Sequence, residues 1–213
     1  MENLKTEFDT LYKKHFGDRE LLFKVFYKFP VGIRFEIGVG DINGKKYMNK
    51  CLSRILPIFF EMFHKEDTIF VIVNSYEDDP RDLAGNTAKD VRKIIKRRQV
   101  SCKFAFKSSD PEWEDFCCVR HIFKTSVENL NAIKLFAEII RSAIYRHTHI
   151  GGCVYLFNPR NGVIMWPYSD EGLDVIASEK ATLEHLYSKF NAWILDYDRE
   201  QINKTFKAGN KDA

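Results

Sequence analysis

Residues 151–176 read GGCVYLFNPRNGVIMWPYSDEGLDVI, and the middle of that stretch decides the fold. Two apolar runs, Cys153–Asn158 and Val163–Tyr168, flank a Pro/Asn/Gly turn. Proline pre-sets φ and Asn-Gly accepts positive φ, which is the chemistry of a tight hairpin. With Pro159–Gly162 as the loop, Tyr155 falls opposite Trp166 on one face and Leu156 opposite Met165 on the other. Both faces are then apolar, which predicts a hairpin in the middle of a sheet covered on both sides. A second turn at Ser169–Gly172 leads into Leu173–Ala177, a further strand.

Upstream, three segments alternate. Val31–Gly38 places Val31, Ile33, Phe35 and Ile37 inward and Arg34 and Glu36 outward. Val100–Lys107 places Val100, Cys102, Phe104 and Phe106 inward and Lys103 and Lys107 outward. In Cys117–Lys124, Cys117, Val119, His121 and Phe123 share one face and Arg120 and Lys124 the other. Thr68–Val73 is almost wholly apolar, as an interior strand requires.

Helical spacing appears in Glu7–Phe16, ended by Gly17, in Lys45–His64, and in Thr87–Arg98. It returns after Thr125–Glu128, which fits a capping box. The stripe there is Ile133, Phe136/Ala137, Ile140 and Ile144. Pro57 predicts a kink or two consecutive helices. Ser178 caps a helix burying Leu183, Leu186/Tyr187, Phe190 and Ile194, and Asp198 with Gln201 starts the last helix. The fold class is therefore α+β: a mixed or mostly antiparallel sheet of about six strands packed with five or six helices. Residues 1–207 read as one domain with a helical N-terminal elaboration, and 208–213 as a disordered tail; a split near 100–110 is the alternative.

Net charge is +3, too mild to name a partner. The five cysteines keep no framework spacing, MENLKTEFDTLY is no signal peptide, and no apolar run reaches the roughly 18 residues of a membrane span. These features point to a cytoplasmic protein with reduced thiols and no membrane contact.

The chemistry-bearing residues have structural uses to weigh first. His147 and His149 with Cys153 fall short of a zinc set, so no metal is expected. Cys117 with His121 lies among apolar neighbours and reads as core, not as a nucleophile. GVGDING lacks the Lys-Ser/Thr of a phosphate loop, and no cofactor fingerprint occurs. Asp170 can start a turn and Asp198 can cap a helix, which leaves Glu171, Asp174 and Asp196 of the acidic cluster. The helix at 87–98 carries Lys89, Arg92, Lys93, Lys96, Arg97 and Arg98 against Asp90, a pattern that a solvated face also produces. If the strands bearing Lys103, Lys107, Arg120 and Lys124 are neighbours, like charges stand opposite each other. That needs compensation, from Asp110, Glu112, Glu114 and Asp115 in the loop between them or from an anionic partner.

The segment GVIMWPYSDEGLDVIA followed by WILDYDRE, with IRFEIG upstream, resembles a bacterial domain family catalogued as of unknown function. The resemblance covers mainly residues 150–207. The family's turn carries Asp and Arg where this chain has Ser169 and Glu171, and the resemblance brings no catalytic residues. Some similar small α+β bacterial proteins neutralise toxins as immunity proteins. The reading favoured is a non-catalytic interaction protein of that kind, with no cofactor and an acidic protein or toxin as partner. Its binding candidates are Arg34, Glu36, Lys103, Lys107, Arg120, Lys124, Trp166, Asp170 and Asp174. The alternative is an enzyme acting on nucleic acid or phosphoesters, which would gather Arg34, Glu36, Asp170 and Asp174 in one cleft.

Overall fold

The computed structural model describes residues 2–40, 44–76, 83–96, 100–109, 117–145, 150 and 153–207. The hairpin forms as predicted from β5 (Cys153–Asn158) and β6 (Val163–Pro167). Leu156 pairs with Met165 across it, and Tyr155 stacks on Trp166 with ring centroids 5.6 Å apart. The Gly162 N–H donates to Asn158 C=O at 3.0 Å, closing the turn at φ +64°. Glycine is required there twice over. The backbone is left-handed, and a Cβ would stand 2.4 Å from His15 Nδ1.

Five more strands extend the hairpin: β1 (Gly32–Glu36), β2 (Thr68–Tyr76), β3 (Val100–Lys107), β4 (Cys117–Ser126) and β7 (Gly172–Ala177). The seven strands lie in the order β1-β7-β6-β5-β2-β4-β3, and every pairing is antiparallel. The sheet thus has one strand more than the six expected. Among the described residues seven α-helices cover it: α1 (Glu2–Phe16), α2 (Val25–Lys28), α3 (Gly44–Met62), α4 (Leu83–Ile94), α5 (Ala132–Tyr145), α6 (Lys180–Lys189) and α7 (Arg199–Lys207).

The alternation of the strands sorts the core into two layers. Phe70, Ile72, Ile122, Tyr155, Phe157, Ile164, Trp166 and Ile176 face α1 and the segment around α2. There Phe8, Tyr12 and Phe16, one helical turn apart, pack on Phe157. Val71, Val73, Phe123, Val154, Leu156, Met165 and Val175 face the opposite way, toward α3 to α7. An antiparallel sheet covered on both sides needs strands apolar on both faces, and β5 and β6 supply them.

Three local expectations change. α3 runs as one helix through Pro57, because Tyr47, Cys51 and Ile55 before it and Ile58, Phe59 and Met62 after it bury one continuous stripe. β4 runs on through Ser126, so Thr125 does not cap α5. That role falls to Asn131, whose Oδ1 accepts from the Lys134 N–H at 3.1 Å. The α5 stripe rotates accordingly to Ala132, Leu135, Phe136, Ile139 and Ile140, and Ile133 is 57% exposed.

The two edges of the sheet differ. On the outer side of β1, Leu195 N–H donates to Arg34 C=O at 2.9 Å and Phe35 bridges Ile194, so the chain near α7 closes that edge. Among the described residues β3 pairs only with β4.

Candidate functional site

Arg34 was expected to face solvent. It stands opposite Asp174 in the β1–β7 register, on the face that α2 covers, and its side chain is 13% exposed. Its Nε donates to Asp174 Oδ1 at 2.8 Å and Nη2 to Oδ2 at 3.2 Å. Nη1 reaches Asp198 Oδ2 at 3.1 Å and Tyr27 Oη at 3.0 Å. The guanidinium also lies 4.8 Å from the Tyr27 ring centroid, 5.1 Å from Phe26 and 5.5 Å from Tyr168. Asp174 accepts further from the Phe26 N–H, and Asp198 from the Tyr27 hydroxyl. Both carboxylates are buried. Burial pushes the Asp174 carboxyl up from its ordinary range, and the Arg34 guanidinium works against that push. This is a strut joining β1, β7, α2 and the turn before α7, with four hydrogen bonds from Arg34 committed to it. Asp198 and Tyr27 belong to it although neither was a sequence candidate for binding. The carboxylate of Asp198, predicted as a helix cap, is engaged by Tyr27 and Arg34.

Glu36 and Asp170 lie elsewhere. Asp170 is buried and accepts from the Tyr47 hydroxyl at 2.8 Å, while its carbonyl accepts from Cys51 Sγ at 3.4 Å. Burial and then Asp170 push the Tyr47 phenol well above its usual range, and burial raises the Cys51 thiol. Glu36 is half exposed and sits 3.5 Å from Arg54. A cleft of about 270 Å³ is lined by Glu36, Gly38, Gly40, Tyr47, Tyr168, Glu171 and Leu195. Of the four groups proposed to converge, only Glu36 lines it. Asp170 bonds Tyr47, and the Arg34 guanidinium lies against Tyr168, two residues that do line it. Trp166 is buried between Tyr155 and Tyr168 and serves the core.

The basic residues of β3 and β4 also divide differently from expectation. The strands are neighbours, but the register sets Lys103 opposite His121, Phe104 opposite Arg120 and Val100 opposite Lys124. Directly opposed residues share a face. Lys103 and Lys107 therefore lie on one face of the sheet and Arg120 and Lys124 on the other, so no like charges oppose each other. Lys124 pairs with Glu7 of α1 at 2.5 Å. Arg120 donates to Asn74 Oδ1 and Leu21 C=O, both at 2.8 Å, and covers the Phe106 ring. Those two cations belong to the docking of the N-terminal segment.

Lys103 and Lys107 remain exposed, and among the described residues neither makes an ion pair. They share their face with α4, which packs on β2 through Ala88, Val91, Ile94 and Ile95 and exposes Lys89, Arg92, Lys93 and Lys96. Asp90 bonds Lys93 at 2.8 Å. His121 lies on this side too, and burial with the Lys103 charge holds its pKa below the usual value. The helix and strand lysines, read separately in the sequence, thus lie on the same side of the sheet.

A polar lock that the sequence did not suggest sits beneath the hairpin turn. Buried Asp67 accepts from the His64 N–H, from Asn158 Nδ2 at 2.7 Å and from Arg160 Nε at 2.5 Å. The acidic loop 110–116, Arg97 and Arg98, His147 and His149, and the tail 208–213 lie outside the described residues. Among the described residues no three His, Cys, Asp or Glu side chains gather as a metal set, and no helix is long and apolar enough to cross a membrane.

Fold and surface together define a class: a seven-stranded antiparallel α+β protein with a buried Arg–Asp strut near one edge and a cationic face near the other. The chain belongs to the family described as "Domain of unknown function (DUF3885)", whose model matches residues 8–198. It is similar to "Uncharacterized protein YnaE" of Bacillus subtilis (strain 168), 21% identical over 203 residues that cover 87% of this chain and 95% of that protein. No solved structure matches.

Proposed function

We propose that this is a non-catalytic interaction protein that takes an acidic protein partner on the face formed by α4 and β3. The observation that carries the reading is the placement of Lys103 and Lys107 on the same side of the sheet as the exposed Lys89, Arg92, Lys93 and Lys96. Such a face repels itself, and an anionic partner relieves that repulsion and is drawn to it from a distance. A toxin-neutralising immunity protein is the biological form we assign to this reading. We place it in the cytoplasm, consistent with the free, buried thiols of Cys51, Cys102 and Cys118. The enzyme alternative draws less support, since Arg34, Asp170 and Asp174 are engaged by internal partners.

The test is titration of the protein with polyglutamate, with duplex DNA, and with the product of the gene adjacent to its own. Binding of polyglutamate and of the neighbouring protein, lost in K103E/K107E and in K89E/R92E/K93E, supports the proposal. Tighter binding of DNA, with affinity falling steeply with salt, would replace the protein partner by nucleic acid. Unchanged binding in both variants would remove the cationic face from the function.

A further inference from the structure

Resting on that reading, we infer that the partner docks by adding an extended strand to the free edge of β3, and that the strand alternates acidic with apolar residues. The sheet has two edges, and among the described residues only one is closed by its own chain. β1 is bridged by Ile194 and Leu195. Among the described residues β3 pairs with β4 alone, and no backbone hydrogen bond reaches its outer side. A strand of eight residues paired on one side leaves every second N–H and C=O directed outward, a template for an incoming strand.

The two faces of β3 then specify the side chains. Toward α4, Ser101, Lys103, Ala105 and Lys107 are all exposed. The two lysines stand four residues apart, roughly 13 Å along the strand. An added strand places its own side chains about 5 Å from these, on the same face. Carboxylates at alternate positions would pair with the lysines. Toward α1 the edge offers Val100, 62% exposed, and the half-buried rings of Phe104 and Phe106. The alternate positions of the partner are therefore apolar.

Charge also selects against a second copy of this chain. Antiparallel pairing of β3 with itself about Ala105 sets Lys103 opposite Lys107 of the other copy, like charges face to face. An acidic strand turns the same lysines from a guard into a recognition element.

The probe is a capped octapeptide alternating glutamate with valine, and its control is the block permutation with the four glutamates first. Affinity is measured by titration, and amide hydrogen exchange of the full-length protein is followed by NMR. The alternating peptide should bind at least tenfold tighter than the permuted one. Every second amide across Ser101–Lys107 should gain protection, and N-methylation along only one edge of the peptide should abolish binding. K103E/K107E should weaken it at least tenfold. Equal binding of the permuted peptide, or tolerance of N-methylation on both edges, would overturn strand addition while leaving the cationic face standing if polyglutamate binding persists. Binding of neither octapeptide means the lysines only guard the edge. A dimer in sedimentation, with protection along β3 in the free protein, would assign the edge to a second copy instead.

Discussion

At the scale of single residues, Arg34 is held by four hydrogen bonds. It satisfies Asp174 and Asp198 together, and both carboxylates lie out of water. Removing one partner of such a set leaves the others buried without a counter-charge, which costs about 3–5 kcal/mol. Arg34→Met is expected to lower the unfolding free energy by that amount, read from the urea midpoint. A drop under about 1 kcal/mol would show that water or local rearrangement rescues the two acids. The alternation around Arg34 placed it correctly off the Ile33–Phe35–Ile37 face. What lay beyond the reach of alternation was that α2 covers the other face as well.

Among elements, the hairpin and the β3–β4 pair behave differently under substitution. Trp166 fills the layer beneath α2, stacked on Tyr155 and packed near Phe23 and Tyr168. Trp166→Ala is expected to cost about 3–5 kcal/mol, through lost burial and the cavity left behind. An unchanged denaturation midpoint would mean that the hairpin is not the centre of the core. On β3, K103E/K107E should shift stability by less than about 1 kcal/mol, since exposed charges contribute little. Arg120→Glu is expected to destabilise by about 2–4 kcal/mol, because it breaks two hydrogen bonds made with a buried asparagine and a backbone carbonyl and sets a carboxylate near that carbonyl. Equal effects of the two changes would contradict the division of cations between the two faces.

For the whole molecule, pH tests how the hairpin turn is tied to the sheet. Burial works to raise the Asp67 carboxyl. Hydrogen bonds from Arg160, the His64 N–H and Asn158 outweigh it and hold the pKa below its usual value. A carboxylate depressed in the fold takes up its proton in the unfolded chain first, so acid favours unfolding. Its contribution is fully present above about pH 4 and is lost as pH falls through the folded-state pKa. In Asp67→Asn the stability deficit at pH 7 should shrink steadily between pH 4 and pH 2.5 in urea titrations. A deficit constant across that range would show that Asp67 is not held as the anion.

The sequence by itself determined the hairpin, its register, the alternation within β1, β3 and β4, and an α+β class with a mixed or mostly antiparallel sheet. These depend on period-2 alternation and on turn chemistry that act within a few residues, as at Asn158–Gly162 and in the pairing of Leu156 with Met165. Family resemblance was legible too, because it rests on residues contiguous in the chain. Only the tertiary structure decided which strands are neighbours and in which register. That choice moved Arg120 and Lys124 away from Lys103 and Lys107, and brought Lys103 and Lys107 onto the face of α4. Only it showed that Arg34 and Asp198, distant in the chain, share a hydrogen bond. Alternation fixes a residue's face within its own strand, but a shift of one residue between strands exchanges the faces of all its partners. The long-range packing that sets this shift is not written in any short stretch of the chain.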